Sequence, residues 1–256
     1  MNSSKLKGKR VLVTAGAQGI GEAISRRFIE SGCHAAIHYF SSSARAEEIA
    51  AESRSEEQKV IALGGDLTDP QVARTMVDDV AEQLGGLDIL INNAGSIVGR
   101  RRLEEIDDDF WFKVFNLNLT SMRSITQAAT PHLARSTDGS SIVNLASLAG
   151  RKGGHPGSLV YATAKGAVLT WTRALSNELG PLGIRVNAVA PGLILGTSFH
   201  NTHTSKESAD KTIAGIPLGI PGKPDDVARA VAYLASEYDG FITGATLDIN
   251  GGVYCA

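Results

Sequence analysis

Short apolar runs alternate along this chain with longer stretches in which apolar positions recur every three or four residues. The runs at 10–14, 35–39, 60–63, 87–91, 141–145, 185–190 and 245–249 have strand length, and most are apolar on both faces. Between them, helical spacing covers 19–30, 44–54, 70–84, 107–134, 159–180 and 224–236. Strand and helix in regular alternation predict an α/β chain: a doubly wound parallel sheet of about seven strands with helices on both faces. The punctuation agrees with that reading. Gly32, Gly85 and Gly180 stand where helices end, and Pro70 after Asp69 opens a helix at the position where a missing N–H costs little. No internal repeat, low-complexity tract or linker interrupts the pattern, so residues 1–256 are expected to form one domain. The long irregular piece is 192–223, more than an ordinary connection needs.

Composition removes several function classes. No run of about 18 apolar residues is present, and the polar first ten residues lack the apolar core of a signal peptide. A net charge of −2 gives no reason to expect nucleic acid or an anionic membrane as partner. Arg100, Arg101 and Arg102 are followed at once by Glu104, Glu105 and three aspartates, which reads as a solvated face or an interface edge. Cys33 and Cys255 are too few and too far apart for a disulfide framework or metal cluster. His200 and His203 have no acidic or thiol company, so no metal is expected. A cytoplasmic protein is expected.

Two stretches carry chemistry. Tyr161 and Lys165 are four apart in a helical stretch, so phenol and ammonium share a face, with Ser147 fourteen residues upstream. A tyrosine titrates near 10 and is a poor proton carrier at neutral pH. A lysine cation about 4–5 Å away should favour the phenolate and lower that pKa. At an effective dielectric of ~20 the effect is roughly 4 kcal/mol, enough to make Tyr161 a usable acid or base. The second stretch follows the first strand: Gly16, Gly19 and Gly21, with Gln18 and Ile20 between, run straight into a helix. Backbone N–H groups and the positive helix end there suit a diphosphate.

Read together, these segments resemble the short-chain dehydrogenase/reductase family, over essentially the whole chain. Thr14-Ala15-Gly16-Ala17-Gln18-Gly19-Ile20-Gly21 is similar to the family's Thr-Gly-x-x-x-Gly-x-Gly turn, with Ala15 in place of the first glycine. A left-handed backbone there would cost alanine of the order of 1 kcal/mol, so Gly16 is expected to supply the flexibility. Asp66-Leu67 resembles the adenine-contacting segment, and Asn92-Asn93-Ala94-Gly95 the turn that lets backbone approach the cofactor. Asn118, with Asn116 as its competitor, resembles the helix asparagine that positions a relay water. Residues 142–145 lead to Ser147 as the catalytic serine does. Pro191-Gly192-Leu193-Ile194 resembles the segment against the nicotinamide amide; the threonine expected five residues after the proline is Gly196, with Thr197 one step late. Asp248-Ile249-Asn250-Gly251-Gly252 resembles the last strand.

The resemblance implies a doubly wound Rossmann fold, an NADP(H)- or NAD(H)-dependent oxidoreductase and a homotetramer packed through the helices of 111–134 and 161–179. Asn118, Ser147, Tyr161 and Lys165 would form the catalytic set, in a carbonyl reductase or secondary alcohol dehydrogenase similar to β-oxoacyl-carrier-protein reductases. Nucleotide-sugar epimerases share the Tyr–Lys spacing, and a cofactor-binding sensor without turnover would share the fold; both stay open at this point. NADP(H) is favoured by the end of the second strand, where Tyr39, Phe40, Ser41 and Ser42 stand in place of an acidic residue and Arg45 follows. The substrate, a small carbonyl or alcohol compound, is not written in these residues. Arg100–Arg102 or Arg151–Lys152 would suit an anionic carrier arm, and the polar 201–205 a polyol, within a lid over 193–222.

Overall fold

The computed structural model describes residues 5–52, 58–197, 206–236 and 240–256. Seven parallel strands form one sheet: β1 (Arg10–Val13), β2 (His34–Tyr39), β3 (Val60–Gly64), β4 (Ile89–Asn92), β5 (Ser140–Leu145), β6 (Ile184–Pro191) and β7 (Thr246–Ile249). Their order is β3-β2-β1-β4-β5-β6-β7, all neighbours parallel. Alternate residues of each strand feed two cores. Val11, Val13, Ile37, Ile91 and Val143 face α1 (Gly19–Glu30), α2 (Ser43–Glu52) and, toward the C-terminus, Pro224–Ala235. Leu12, Ala36, Leu90, Ile142 and Val186 face α3 (Pro70–Leu84) and the later helices on the opposite side. Burial on both faces explains why the strands read as apolar runs without alternation.

The caps follow the sequence. Asp69 accepts the Gln71 N–H at 2.8 Å and precedes Pro70, while Gly85 closes α3 with φ 77°. The expected helix over 107–134 is divided. It runs as α4 (Asp108–Phe115), a π-turn over Asn116–Thr120, and α5 (Ser121–Leu133). The cause is Asn118: its Nδ2 donates to the Val114 carbonyl at 2.9 Å, the oxygen that the Asn118 backbone N–H would take in an α-helix.

Two helices fall where none was expected. α6 (Leu148–Lys152) follows β5, ahead of α7 (Leu159–Leu179). The piece over 192–223 is not wholly irregular, since α8 (Lys206–Ala214) lies within it, ahead of α9 (Pro224–Ala235). Residues 198–205, with His200, His203 and the polar stretch 201–205, lie outside the described residues. Among the described residues, no helix is long and apolar enough to cross a membrane.

Between β1 and β4 the strand order reverses direction. The crevice beyond the carboxyl ends of those strands is where open α/β sheets bind ligands. The turns that follow β1, β4, β5 and β6 all meet there.

Candidate active site

The glycine turn is stitched to the end of β4. Thr14 Oγ1 donates to the Ile91 carbonyl at 3.1 Å and accepts the N–H groups of Asn93 at 2.9 Å and Ala94 at 3.0 Å. Asn93 Nδ2 donates to the carbonyls of Thr14 and Ala15, both at 3.0 Å. Ala15 itself takes the left-handed backbone, with φ 49°. The expectation that Gly16 supplies this flexibility is therefore corrected. Gly16 is glycine for space: a Cβ there would lie 2.7 Å from Ser25 Oγ and 2.9 Å from the Val13 carbonyl. Gly21 is needed for the same reason, its Cβ falling 2.0 Å from the Ala15 carbonyl, whereas Gly19 adopts φ 55°. Gln18, extended at φ −153°, makes no side-chain cap, which leaves the N–H groups opening α1 without that partner. That surplus of donors at a helix N-terminus fits an anionic diphosphate. Ile20, in the first turn, packs back onto the core.

At the end of β2, the Tyr39 ring crosses Gly64, where a Cβ would lie 2.7 Å from its Cε2. Phe40 is 71% exposed, Ser41 is exposed and Ser42 half-buried, immediately before α2. Arg45 does not turn inward over these serines. Its guanidinium is held by Glu22 of α1 at 2.6 Å and by Glu48 at 2.7 Å. Asp66 is exposed and accepts from Thr68 N–H at 2.9 Å and Thr68 Oγ1 at 2.7 Å; Leu67 is buried beneath it. His38, absent from the sequence expectations, lies behind this corner, bonded to Ala15 and Gly65.

The four polar side chains expected to act together meet beyond β4 and β5. Ser147 caps α6, accepting the Ala149 N–H at 3.1 Å, and its hydroxyl hydrogen-bonds Tyr161. Gly150 makes that juxtaposition possible, because a Cβ there would lie 2.6 Å from the Lys165 carbonyl carbon and 2.7 Å from Gly166 N. Only glycine lets α6 press so closely on α7. Asn118 is fully buried while Asn116 is exposed, which separates the two candidates. Asn118 Oδ1 accepts from Ser96 N–H at 3.1 Å and its Nδ2 donates to the Ser96 carbonyl at 2.8 Å. Gly95 lies between Asn118 and Lys165: a Cβ on it would be 2.6 Å from Asn118 Oδ1 and 3.1 Å from Lys165 Nζ.

Electrostatics here differ from the sequence expectation. Lys165, 3% exposed, donates to the Leu145 carbonyl at 2.7 Å, and its Nζ lies 5.8 Å from the Tyr161 ring centre. Burial lowers its pKa to about 8. Burial also raises the Tyr161 pKa above the ordinary tyrosine value, against the opposing hydrogen bond from Ser147. The lysine thus does not bring the phenol down in the protein alone; burial dominates the shift of each group.

On the remaining side, Pro191 ends β6 and Gly192 passes so close to Asn250 that a Cβ would lie 3.0 Å from its Cβ. Ile194, 2% exposed, pairs with Gly222 in an isolated parallel bridge. Gly196 turns the chain with φ 79°, and Thr197, buried, packs over Gly19, with 3.4 Å from its Cβ to where a Gly19 Cβ would lie. Thr197, one step later than the resemblance places its threonine, thus lies against the glycine turn. Arg151, considered for an anionic arm, is instead paired with Asp248 at 3.1 and 3.2 Å.

Comparison with known proteins agrees with this arrangement. A family model described as enoyl-(acyl carrier protein) reductase matches residues 14–254. The 3-oxoacyl-[acyl-carrier-protein] reductase of Staphylococcus aureus is 35% identical over 246 residues, covering 96% of this chain and 98% of that one. A short chain dehydrogenase from Burkholderia cenocepacia, solved in complex with NADP, superposes with a TM-score of 0.89 at 37% identity over 97% of this chain and 99% of that one. An NADH-dependent reductase responsible for alginate metabolism superposes with a TM-score of 0.89 at 31% identity, over 99% of this chain and 100% of that one. Fold, motifs and relatives converge: the chain belongs to the short-chain dehydrogenase/reductase family and is an NAD(P)-dependent oxidoreductase of the Rossmann fold.

Proposed function

We propose that the protein is an NADP(H)-preferring carbonyl reductase or secondary alcohol dehydrogenase in which Tyr161 carries the proton. The observation that supports this most is the contact of Ser147 with Tyr161, beside a buried Lys165 that lies against Gly95. The α1 N-terminus, Gly16, Gly19, Gly21, Asp66, Leu67, the Asn93-Ala94-Gly95 turn and Pro191-Gly192-Ile194 would hold the dinucleotide. Thr197 joins them at the nicotinamide amide. When bound, the nicotinamide supplies or accepts the hydride.

The residues supply everything else. Ser147 and Tyr161 hydroxyls donate to the substrate oxygen, where negative charge grows during reduction, and such donors are strongest when fixed in advance. Tyr161 then gives its proton to that oxygen, or removes it when an alcohol is oxidised. Lys165, as the ammonium, stabilises the phenolate left behind and holds ribose hydroxyls. Asn118 holds a water that reconnects Lys165 with solvent, and the excursion after Ile194 closes over the substrate. Subunits would assemble as a homotetramer through α4, α5 and α7, two of which expose Phe112 and Leu159. The substrate class spans β-oxoacyl thioesters, small ketones and sugars or polyols. An acetoacetyl thioester, small diketones and keto-sugars, each with NADPH, test it; no NADPH oxidation with any of them would sink the reading.

For the cofactor, a kcat/KM higher with NADPH than with NADH is expected, with some NADH activity. Tyr39, Phe40, Ser41 and Ser42 offer no carboxylate to repel a 2′-phosphate. Tyr39→Asp should move the ratio toward NADH by weakening NADPH. A wild-type ratio favouring NADH refutes the preference.

A further inference from the structure

Ala15 departs from the family's glycine and yet keeps a positive φ of 49°. For an alanine that conformation is unfavourable, and it persists only where neighbours hold it. One neighbour does so directly. The Ala15 N–H donates to His38 Nδ1 at 2.9 Å, and His38 Nε2 lies 3.0 Å from the Gly65 carbonyl. His38 is 2% exposed, so neither bond competes with bulk water. A backbone N–H can only donate and a carbonyl can only accept, so both partners demand the same state of the ring: neutral, proton on Nε2, lone pair on Nδ1. Burial acts in the same sense, holding the His38 pKa below its ordinary value, while Gly65 and the charge of Asp66 pull the other way.

The two bonds span the adenosine side of the crevice. One end is the first residue of the glycine turn, the other the residue before Asp66, and β2 lies between them. Ala15 is also the residue whose carbonyl accepts from Asn93 and lies against Gly21. A change of its backbone would therefore shift the start of α1 and the turn after β4 together.

We infer that His38 is a positioning residue for the dinucleotide: as a neutral imidazole it fixes Ala15 in the left-handed backbone and ties the glycine turn to the Gly65–Asp66 turn. It touches neither substrate nor cofactor and acts through Ala15. This rests on the reading that the cofactor diphosphate lies at the α1 N-terminus. The alanine is tolerated in place of glycine because the ring supplies the constraint that glycine would not need.

Two matched polar variants separate the two bonds. His38→Asn puts an amide oxygen where Nδ1 stands and keeps the Ala15 bond; His38→Gln reaches the Nε2 position and keeps the Gly65 bond. NADPH Kd, read from its fluorescence on binding, should rise about tenfold in His38→Gln and stay within about threefold in His38→Asn. At saturating NADPH, kcat should stay within about twofold in both, so that the loss appears in cofactor KM. Ala15→Gly supplies the decisive arm. Glycine adopts positive φ unaided, so in that background the His38→Gln penalty should shrink to within about threefold. Equal Kd values for the Asn and Gln variants, or a Gln penalty undiminished beside Gly at position 15, overturn the inference while leaving the cofactor reading intact. Wild-type protein that binds neither NADPH nor NADH overturns both.

Discussion

Tyr161→Phe should bind NADPH as the wild type does and turn over at least ~10² more slowly. The ring of Tyr161 packs against the small cluster of Phe110, Val114 and Val160, and phenylalanine preserves that packing. What it removes is one hydroxyl, the one that Ser147 meets and that the proposed proton transfer uses. Burial keeps that phenol protonated at neutral pH, the state a proton donor needs before reduction begins. Stopped-flow or steady-state NADPH oxidation with the best ketone of the panel measures the loss, and fluorescence titration measures retained binding. A variant keeping more than a tenth of wild-type kcat would remove Tyr161 from the proton path. A variant that loses NADPH affinity as well as rate would make the hydroxyl a cofactor contact first.

The order of elements was legible because buried parallel strands announce themselves as apolar runs between helical periods, as Val11–Val13 and Ile89–Ile91 do. Tyr161 and Lys165 stood out because their spacing places them on one helix face, and Ser147 because the strand leading to it resembles the family's. What escaped depends on geometry that no periodicity encodes. The π-turn around Asn118 arises from a side chain taking a backbone acceptor, which looks like uninterrupted helix in the sequence. α6 is a single short helix whose signals are Ser147 as cap, read from the sequence for another reason, and Gly150 as close contact, which no sequence pattern marked. Ala15 shows the same limit from the other side. Gly16 was expected to spare Ala15 a left-handed backbone; that Ala15 adopts it, beside a histidine 23 residues away on β2, becomes visible only once β1 and β2 are paired. Arg45 was read by charge alone, and a closer partner, Glu22, decided where it points.

Lys165→Met should make the protein more stable at neutral pH and nearly inactive. The lysine is 3% exposed with a pKa of about 8, against roughly 10.4 in an unfolded chain. The folded-state pKa is depressed, so the unfolded chain holds the extra proton between those values, and native stability rises with pH across that window. Below about pH 8 both states carry the charge and the full desolvation penalty applies, of order 3 kcal/mol from the shift. Methionine fills similar space without it, offset by about 1 kcal/mol for the Leu145 carbonyl left without its donor. The variant's Tm should therefore exceed that of the wild type at pH 7, and the gap should narrow from about pH 8 to about pH 10 as the native lysine loses its proton while the unfolded chain still holds it. The same ionisation should appear in catalysis. Since kcat/KM reports groups of the free enzyme, ketone reduction should fall as pH rises through about 8, where the ammonium that stabilises the Tyr161 phenolate disappears. Turnover of the variant should drop by at least ~10² at pH 7. A Tm for Lys165→Met at or below wild type at pH 7 would contradict the buried, strained ammonium. A rate profile flat to pH 10 would instead separate Lys165 from proton transfer and leave it only the ribose.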